Sequence, residues 1–169
     1  MSNFQARTNR LSRRVLLGSA LAIATAIFAA GYGTGLSSAK AKAEPINTLE
    51  SPGVAIKGFD PVAYFTLGKP TPGSSDITVQ HQGATWRFAT SEHKALFEAD
   101  PAKYTPAYGG YCAFGVAKGA LFKIEGDAWS IRDGVLYLNY DKSVQANWLK
   151  SPQSFIADAN AKWPGVIGQ

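Results

Sequence analysis

The chain has 169 residues, and its charge is distributed unevenly. It contains 17 lysines and arginines against 12 aspartates and glutamates, but six of the basic residues and none of the acidic ones precede residue 44. The remaining 126 residues therefore carry 11 basic and 12 acidic side chains, a formal charge of −1. Because such a domain has no cationic excess to displace counterions from phosphates, nucleic-acid binding is excluded, and a polybasic membrane-binding surface is disfavoured.

The first 43 residues have the order of a cleavable export signal. A basic stretch ends in Ser12-Arg13-Arg14, an apolar run covers residues 15–30, and small residues lead to A-K-A-K-A at 39–43. The string S-R-R-V-L-L resembles a twin-arginine signal. We therefore expect a periplasmic protein that has lost residues 1–43 and keeps no membrane segment. The alternative is an uncut membrane anchor, although the apolar run is shorter than the ~20 residues that a span usually needs.

The chain after the signal predicts short elements separated by breaks. Residues 44–53 are polar and bounded by prolines, which indicates a flexible connecting segment. Asp60-Pro61 is typical of a helix N-cap followed by proline at the first helical position, so a short helical turn is expected over residues 62–65. Residues 69–75 contain two prolines, one glycine and two serines, and they predict a loop.

A first β-hairpin is predicted around Gln82-Gly83. Residues 77–81 and 84–88 alternate on either side of this turn dipeptide. The expected buried face consists of Ile77, Val79, Trp86 and Phe88.

A helix is predicted after this hairpin. Ser91 is expected to be its N-cap, and Ala95, Leu96 and Ala99 lie at helical spacing beside Phe97. Pro101 ends or restarts this helix.

A second hairpin is predicted around Asp133-Gly134, a strong two-residue turn signal between residues 129–132 and 135–139. Asp141 is expected to cap a helix that runs to Trp148. A last helix is expected from Ser151-Pro152 to about Lys162. The predicted class is α+β, a small antiparallel sheet built from two hairpins and packed with three to four short helices.

Two segments resemble the YHS domain family. They are K-G-F-D-P-V-A-Y-F at 57–65 and W-R-F-A-T-S-E-H-K-A-L-F-E-A-D-P-A-K-Y at 86–104. The strings Y-G-G-Y-C-A at 108–113 and L-Y-L-N-Y at 136–140 further resemble an exported, single-domain subgroup found in proteobacteria. The resemblance implies a YHS-type domain over residues 54–164, followed by a tail at 165–169.

The resemblance also implies a metal-related function. Short YHS domains accompany heavy-metal transport ATPases and some monooxygenases, and their cysteines are taken as metal ligands, often for copper. In this sequence Ala63, Ala89 and His93 stand at three of those cysteine positions. A closed four-thiolate site is therefore impossible, whereas His93 is still able to bind a metal.

The candidate metal ligands after the signal are Cys112, His93 and His81, since the single methionine is Met1. This inventory excludes a methionine-rich copper(I) site. It permits a trigonal or open tetrahedral site for copper first and zinc second. The leading hypothesis is a periplasmic protein that holds such an ion for transfer or sensing, with a metal transporter or a metal-receiving protein as its partner.

Two other functions remain open. In the first, Cys112 is a thiolate nucleophile and His93 is its base. In the second, aromatic side chains form a pocket for a small molecule or a partner, and Cys112 is packing. The sequence has no G-x-S-x-G string, phosphate loop or nucleotide fingerprint, which favours binding over catalysis. Asp60 is expected to be a helix cap, or else an acceptor that orients an imidazole.

Overall fold

Two pairs of consecutive strands are each preceded and followed by short helices. The computed structural model describes residues 43–168, so the predicted signal lies outside the described residues except for Ala43. The strands are β1 (Ser74–His81), β2 (Ala84–Phe88), β3 (Trp129–Arg132) and β4 (Val135–Leu138). The α-helices are α1 (Ala63–Thr66), α2 (Ser91–Ala99), α3 (Pro101–Tyr104), α4 (Ala113–Ala117), α5 (Lys142–Trp148) and α6 (Pro152–Val166). Two 3-10 segments cover Ala55–Gly58 and Ala107–Gly110.

The strands form two antiparallel hairpins, β1 with β2 and β3 with β4, which confirms the α+β class. The hairpins remain two separate two-stranded sheets, and the described residues contain six α-helices where three to four were expected. The additional helices are α3 and α4. They have only four and five residues, too few to produce a periodic apolar pattern that a sequence could reveal.

Both predicted hairpin turns are confirmed. Gln82 and Gly83 have φ values of 50° and 79°, and Asp133 and Gly134 have values of 50° and 76°. Two consecutive left-handed residues give the turn whose twist matches that of paired strands. On the first hairpin, Trp86 and Phe88 are fully buried, while Ile77 and Val79 are partly buried against the same core.

The start of α2 differs from the prediction. Thr90, not Ser91, is the N-cap: its backbone is extended, and its side chain accepts a hydrogen bond of 3.2 Å from the His93 amide. The helix then buries His93 and Phe97, four residues apart, and exposes Leu96. The predicted apolar positions Ala95, Leu96 and Ala99 therefore do not form the buried face.

The C-terminal helices follow the prediction with one extension. Asp141 caps α5 through a hydrogen bond of 2.8 Å from the Val144 amide. The last helix continues to Val166, four residues beyond Lys162, and Ile167 in the predicted tail is buried. Pro164 lies in the last turn of this helix, where it removes the one amide donor that would bond the Asn160 carbonyl.

The connecting segment at 44–53 is anchored rather than loose. Ile46 and Asn47 are buried. The Asn47 amide donates to the Gly109 carbonyl at 2.9 Å, and its side-chain Nδ2 donates to the Gly110 carbonyl at 3.0 Å. Burial of one apolar side chain and these long-range hydrogen bonds explain why a polar, proline-bounded segment is held in place.

Two hydrophobic clusters fill the interior. The larger contains Ile56, Trp86, Phe88, Phe97, Cys112, Ile124 and Leu138 among others. The second contains Tyr108, Tyr111, Val116, Tyr137, Trp148 and Ala159 among others. Phe114, in α4, packs against both clusters. Across residues 43–168, none of the helices has the length and apolar character needed to cross a bilayer.

Candidate functional site

The three predicted metal ligands lie in different settings. Cys112 immediately precedes α4, His93 lies in the first turn of α2, and His81 ends β1 with its ring edge-on to Phe97 at 5.5 Å. Within residues 43–168, Cys112 and His93 share no hydrogen-bonding partner, and no three histidine, cysteine, aspartate or glutamate side chains form a metal-sized group. As arranged here these residues do not fit a copper or zinc site, and metal binding stays a prediction.

Asp60 is the central residue of a buried polar cluster. Its carboxylate has no exposed surface. Oδ1 accepts hydrogen bonds from the amides of Val62 at 2.8 Å and Ala63 at 3.2 Å, and Oδ2 accepts one from the Ala89 amide at 2.8 Å. His93 Nδ1 lies 2.6 Å from the same Oδ2. Asp60 therefore contacts an imidazole as predicted, and its Oδ1 accepts the two amides that lead into α1, although the N-cap residue of that helix is Val62 and not Asp60.

The second nitrogen of His93 is also engaged. Nε2 lies 3.0 Å from Thr66 Oγ1, whose hydroxyl is also placed to donate to the Val62 carbonyl at 3.1 Å. When the hydroxyl donates to that carbonyl, Nε2 must carry a proton and donate to the oxygen. When a neutral ring carries its proton on Nδ1, facing Asp60, the hydroxyl donates to Nε2 instead. In either form both ring nitrogens have protein partners, which leaves neither one free for a metal.

The three positions at which the sequence resemblance implies family cysteines, Ala63, Ala89 and His93, come together in space. The amides of Ala63 and Ala89 and the ring of His93 all contact the Asp60 carboxylate. At this place the chain has a hydrogen-bonded carboxylate and imidazole, with two alanines that supply no side-chain ligand.

Cys112 has partners of its own. Its Sγ accepts a hydrogen bond of 3.4 Å from the Gly115 amide, and its thiol donates to Asn139 Oδ1 at 3.9 Å. The residue is buried, and burial raises the pKa of the Cys112 thiol. A catalytic thiolate requires a lowered pKa and an adjacent base. Neither condition is met, because the pKa of Cys112 is raised and His93, the predicted base, makes no hydrogen bond to Cys112.

A pocket of about 470 Å³ opens beside Cys112. Its walls are the start of α4, the loop that follows α4, the segment after β4 and the first turn of α5. The lining residues are Cys112, Phe114, Gly115, Lys118, Phe122, Tyr140 and Val144. Phe122 and Tyr140 are 46% and 38% exposed, and their rings meet edge-to-face at 6.4 Å.

No family model, curated protein or solved structure matches this chain. The YHS resemblance therefore rests on the sequence strings alone.

Gly115 creates the space for one wall of this pocket. A Cβ atom at this position would lie 2.5 Å from Cδ2 of Phe122, so only glycine allows that ring to pack over α4 as it does. Sequence reasoning identified Cys112 and the aromatic character of its surroundings, but it did not identify Lys118, Phe122 or Val144. These three residues lie on a helix end, a loop and a second helix, and no local pattern connects them.

The Cys112 pocket differs from two other cavities. One, of about 240 Å³, is formed by the connecting segment and the first hairpin turn, and another, of about 540 Å³, lies between the residues after α4 and the end of α6. Neither is lined by an aromatic side chain. Walls that are mainly aromatic and apolar, with few polar groups, are typical of a small-molecule site.

Proposed function

We propose that the protein is an exported binding protein for a small apolar molecule, which it holds in the pocket beside Cys112. The observation that carries this proposal is the aromatic-walled cavity of about 470 Å³. This volume lies within the range of about 300–1,000 Å³ common for small-ligand sites. Export is supported by the signal-like order of residues 1–43.

The exposed aromatic rings provide the driving force for binding. Phe122 and Tyr140 present apolar surface to water in the absence of a ligand. A ligand that covers this surface gains about 25 cal/mol for each Å² of apolar area removed from water. The two rings are perpendicular, at 88°, so together they form a corner against which a flat apolar molecule packs on two sides.

The remaining walls favour binding over chemistry. No histidine or carboxylate lines the pocket, so a bound molecule meets no general base there. The Cys112 thiol is held protonated by its burial and acts as a soft, weakly polar surface. The enzyme hypothesis has no comparable support, because its proposed base, His93, is bonded to Asp60 and Thr66 instead.

The test uses a neutral fluorescent probe, N-phenyl-1-naphthylamine, titrated into the full chain. We expect the fluorescence of the probe to rise and saturate, with one probe molecule bound in the pocket of each chain. Phe122→Ala should weaken that site about tenfold, since removal of one ring contact costs about 1.4 kcal/mol or more. Leu67→Ala is the matched control, because Leu67 is similarly exposed at 50% but does not line the pocket.

The comparison of variants separates the pocket from other apolar parts of the chain. Probe that binds the apolar run at residues 15–30 gives the same signal in wild type, Phe122→Ala and Leu67→Ala. Equal titration curves for all three proteins would overturn the proposal. Circular dichroism of each variant establishes that the fold is retained.

A further inference from the structure

We infer that the molecule bound in the Cys112 pocket carries an anionic group, a carboxylate or sulfonate on an apolar body, and that Lys118 pairs with it. This inference rests on the proposed function and specifies the class of ligand. Its basis is the charge and placement of Lys118 relative to the aromatic walls.

Lys118 is an exposed lining residue at the end of α4. Its Nζ lies 5.4 Å from the ring centroid of Phe114 and 5.3 Å from that of Phe155. Two rings therefore hold the ammonium group beside the pocket, because the faces of aromatic rings attract cations. Within residues 43–168 no carboxylate lies within ion-pair distance of this amino group.

A second lysine near the pocket has a different arrangement. Lys123 Nζ lies 5.1 Å from the Tyr140 ring centroid, but it also pairs with Glu50 at 3.4 Å and with Glu125 at 3.0 Å. The charge of Lys123 is therefore compensated within the protein. Of the two lysines that contact the aromatic walls, Lys118 is the one whose charge a ligand would complement.

Acidic side chains do not oppose an anion at this place. None lines the pocket. Asp141 is the acidic residue next to Tyr140 in the chain, and its carboxylate accepts hydrogen bonds from the Val144 amide at 2.8 Å and the Ser143 hydroxyl at 2.7 Å. These bonds lower the pKa of Asp141, and they engage its charge at the N-terminus of α5. Because the pocket has apolar walls, an ion pair at its edge is less screened than one in open water.

The experiment compares two probes that share one skeleton. N-phenyl-1-naphthylamine is neutral, and 8-anilino-1-naphthalenesulfonate adds a sulfonate to the same ring system. Lys118→Met keeps the apolar stem and removes the charge. We expect this substitution in the full chain to weaken binding of the sulfonate probe about fivefold and to change binding of the neutral probe less than twofold.

Two further variants serve as controls. Lys118→Arg should retain binding of the sulfonate probe. Lys94→Met removes the same charge from α2, outside the pocket lining, and should leave both probes unaffected.

The outcomes separate the two proposals. One outcome is that Phe122→Ala weakens binding of the neutral probe while Lys118→Met leaves binding of the sulfonate probe unchanged. The pocket is then a binding site, and the anionic ligand is disproved. The same conclusion follows if Lys118→Met weakens both probes equally, because the loss would then not depend on the charge of the sulfonate. If neither probe responds to Phe122→Ala or Lys118→Met, the proposed function fails along with this inference.

Discussion

His93 Nδ1 lies 2.6 Å from Asp60 Oδ2, although the two residues are 33 positions apart in the chain. The carboxylate is fully buried and also accepts three backbone amides, two from the α1 turn and one from Ala89 after β2. One side chain therefore joins the first helical turn, the end of the first hairpin and the start of α2. Because a buried carboxylate is costly unless it is hydrogen-bonded, these four contacts together satisfy its two oxygens.

Substitution of Asp60 by alanine should destabilise the protein strongly. The change leaves the amides of Val62, Ala63 and Ala89 without their acceptor and removes the partner of His93 Nδ1. Each buried donor left without its acceptor costs about 1–3 kcal/mol, so a total loss of at least about 3 kcal/mol is expected. Urea denaturation of the full chain, followed by circular dichroism, should show a loss of this size for Asp60→Ala. The matched control is Asp158→Ala, at an exposed position in α6, which should change the stability by less than about 0.5 kcal/mol. Equal midpoints for the two variants would contradict the assigned role.

Local signals account for most of the fold that could be predicted. The dipeptides Gln82-Gly83 and Asp133-Gly134 determine both turns and the strand pairing next to them, whereas the register of β1 shifts between Ser74 and Thr78, away from the turn. Asp141 was predictable as a cap for the same reason. The N-cap of α2 was displaced by one residue because Thr90 and Ser91 are both good caps and only the backbone conformation distinguishes them.

The candidate site was less predictable because its residues are distant in sequence. The family resemblance predicted a functional role for His93. For Asp60 the sequence predicted a helix cap or an acceptor for an imidazole, without indicating that this imidazole is His93. Phe122 was not predicted as a pocket wall, because its position depends on the absence of a side chain at Gly115, seven residues earlier. Relationships of this kind depend on packing and leave no periodic pattern in the sequence.

Alkylation of Cys112 should be slow and should require alkaline pH. Burial raises the pKa of the Cys112 thiol, and only the thiolate reacts with iodoacetamide. The folded protein should therefore react at a higher pH than the same chain in denaturant, when the rate is followed by mass spectrometry. By linkage, the stabilisation from the protonated thiol is fully present below the pKa of the unfolded thiol, and it is lost as the pH rises through the higher folded value. Rapid labelling of the folded chain near neutral pH would instead support the nucleophile hypothesis.

Gly109 should be a site where alanine is poorly tolerated. Its φ is +60°, and a Cβ atom there would lie 1.8 Å from the Pro45 carbonyl oxygen. Gly53 provides a matched control, since its φ is +75° but nothing lies within 4 Å of its Cβ position. Gly53→Ala should cost about 1 kcal/mol for the left-handed backbone alone. Gly109→Ala should cost about 2 kcal/mol more, because the connecting segment must move away. Equal losses in urea denaturation would show that the segment around Ile46 and Asn47 is not held against Gly109.

Addition of Zn²⁺ or Cu⁺ should not stabilise the protein through Cys112 and His93. A metal on His93 must displace Asp60 or Thr66 from a ring nitrogen, and a metal on Cys112 must remove a proton that burial retains. We therefore expect the change in thermal midpoint on metal addition to be the same for the wild-type chain, Cys112→Ser and His93→Gln. Comparing the metal-induced change, rather than the midpoint itself, corrects for any destabilisation by the substitutions. A rise of several degrees in the wild type that is absent from both variants would show that the two side chains rearrange to bind the ion. Such a rise would restore the metal hypothesis over the apolar pocket.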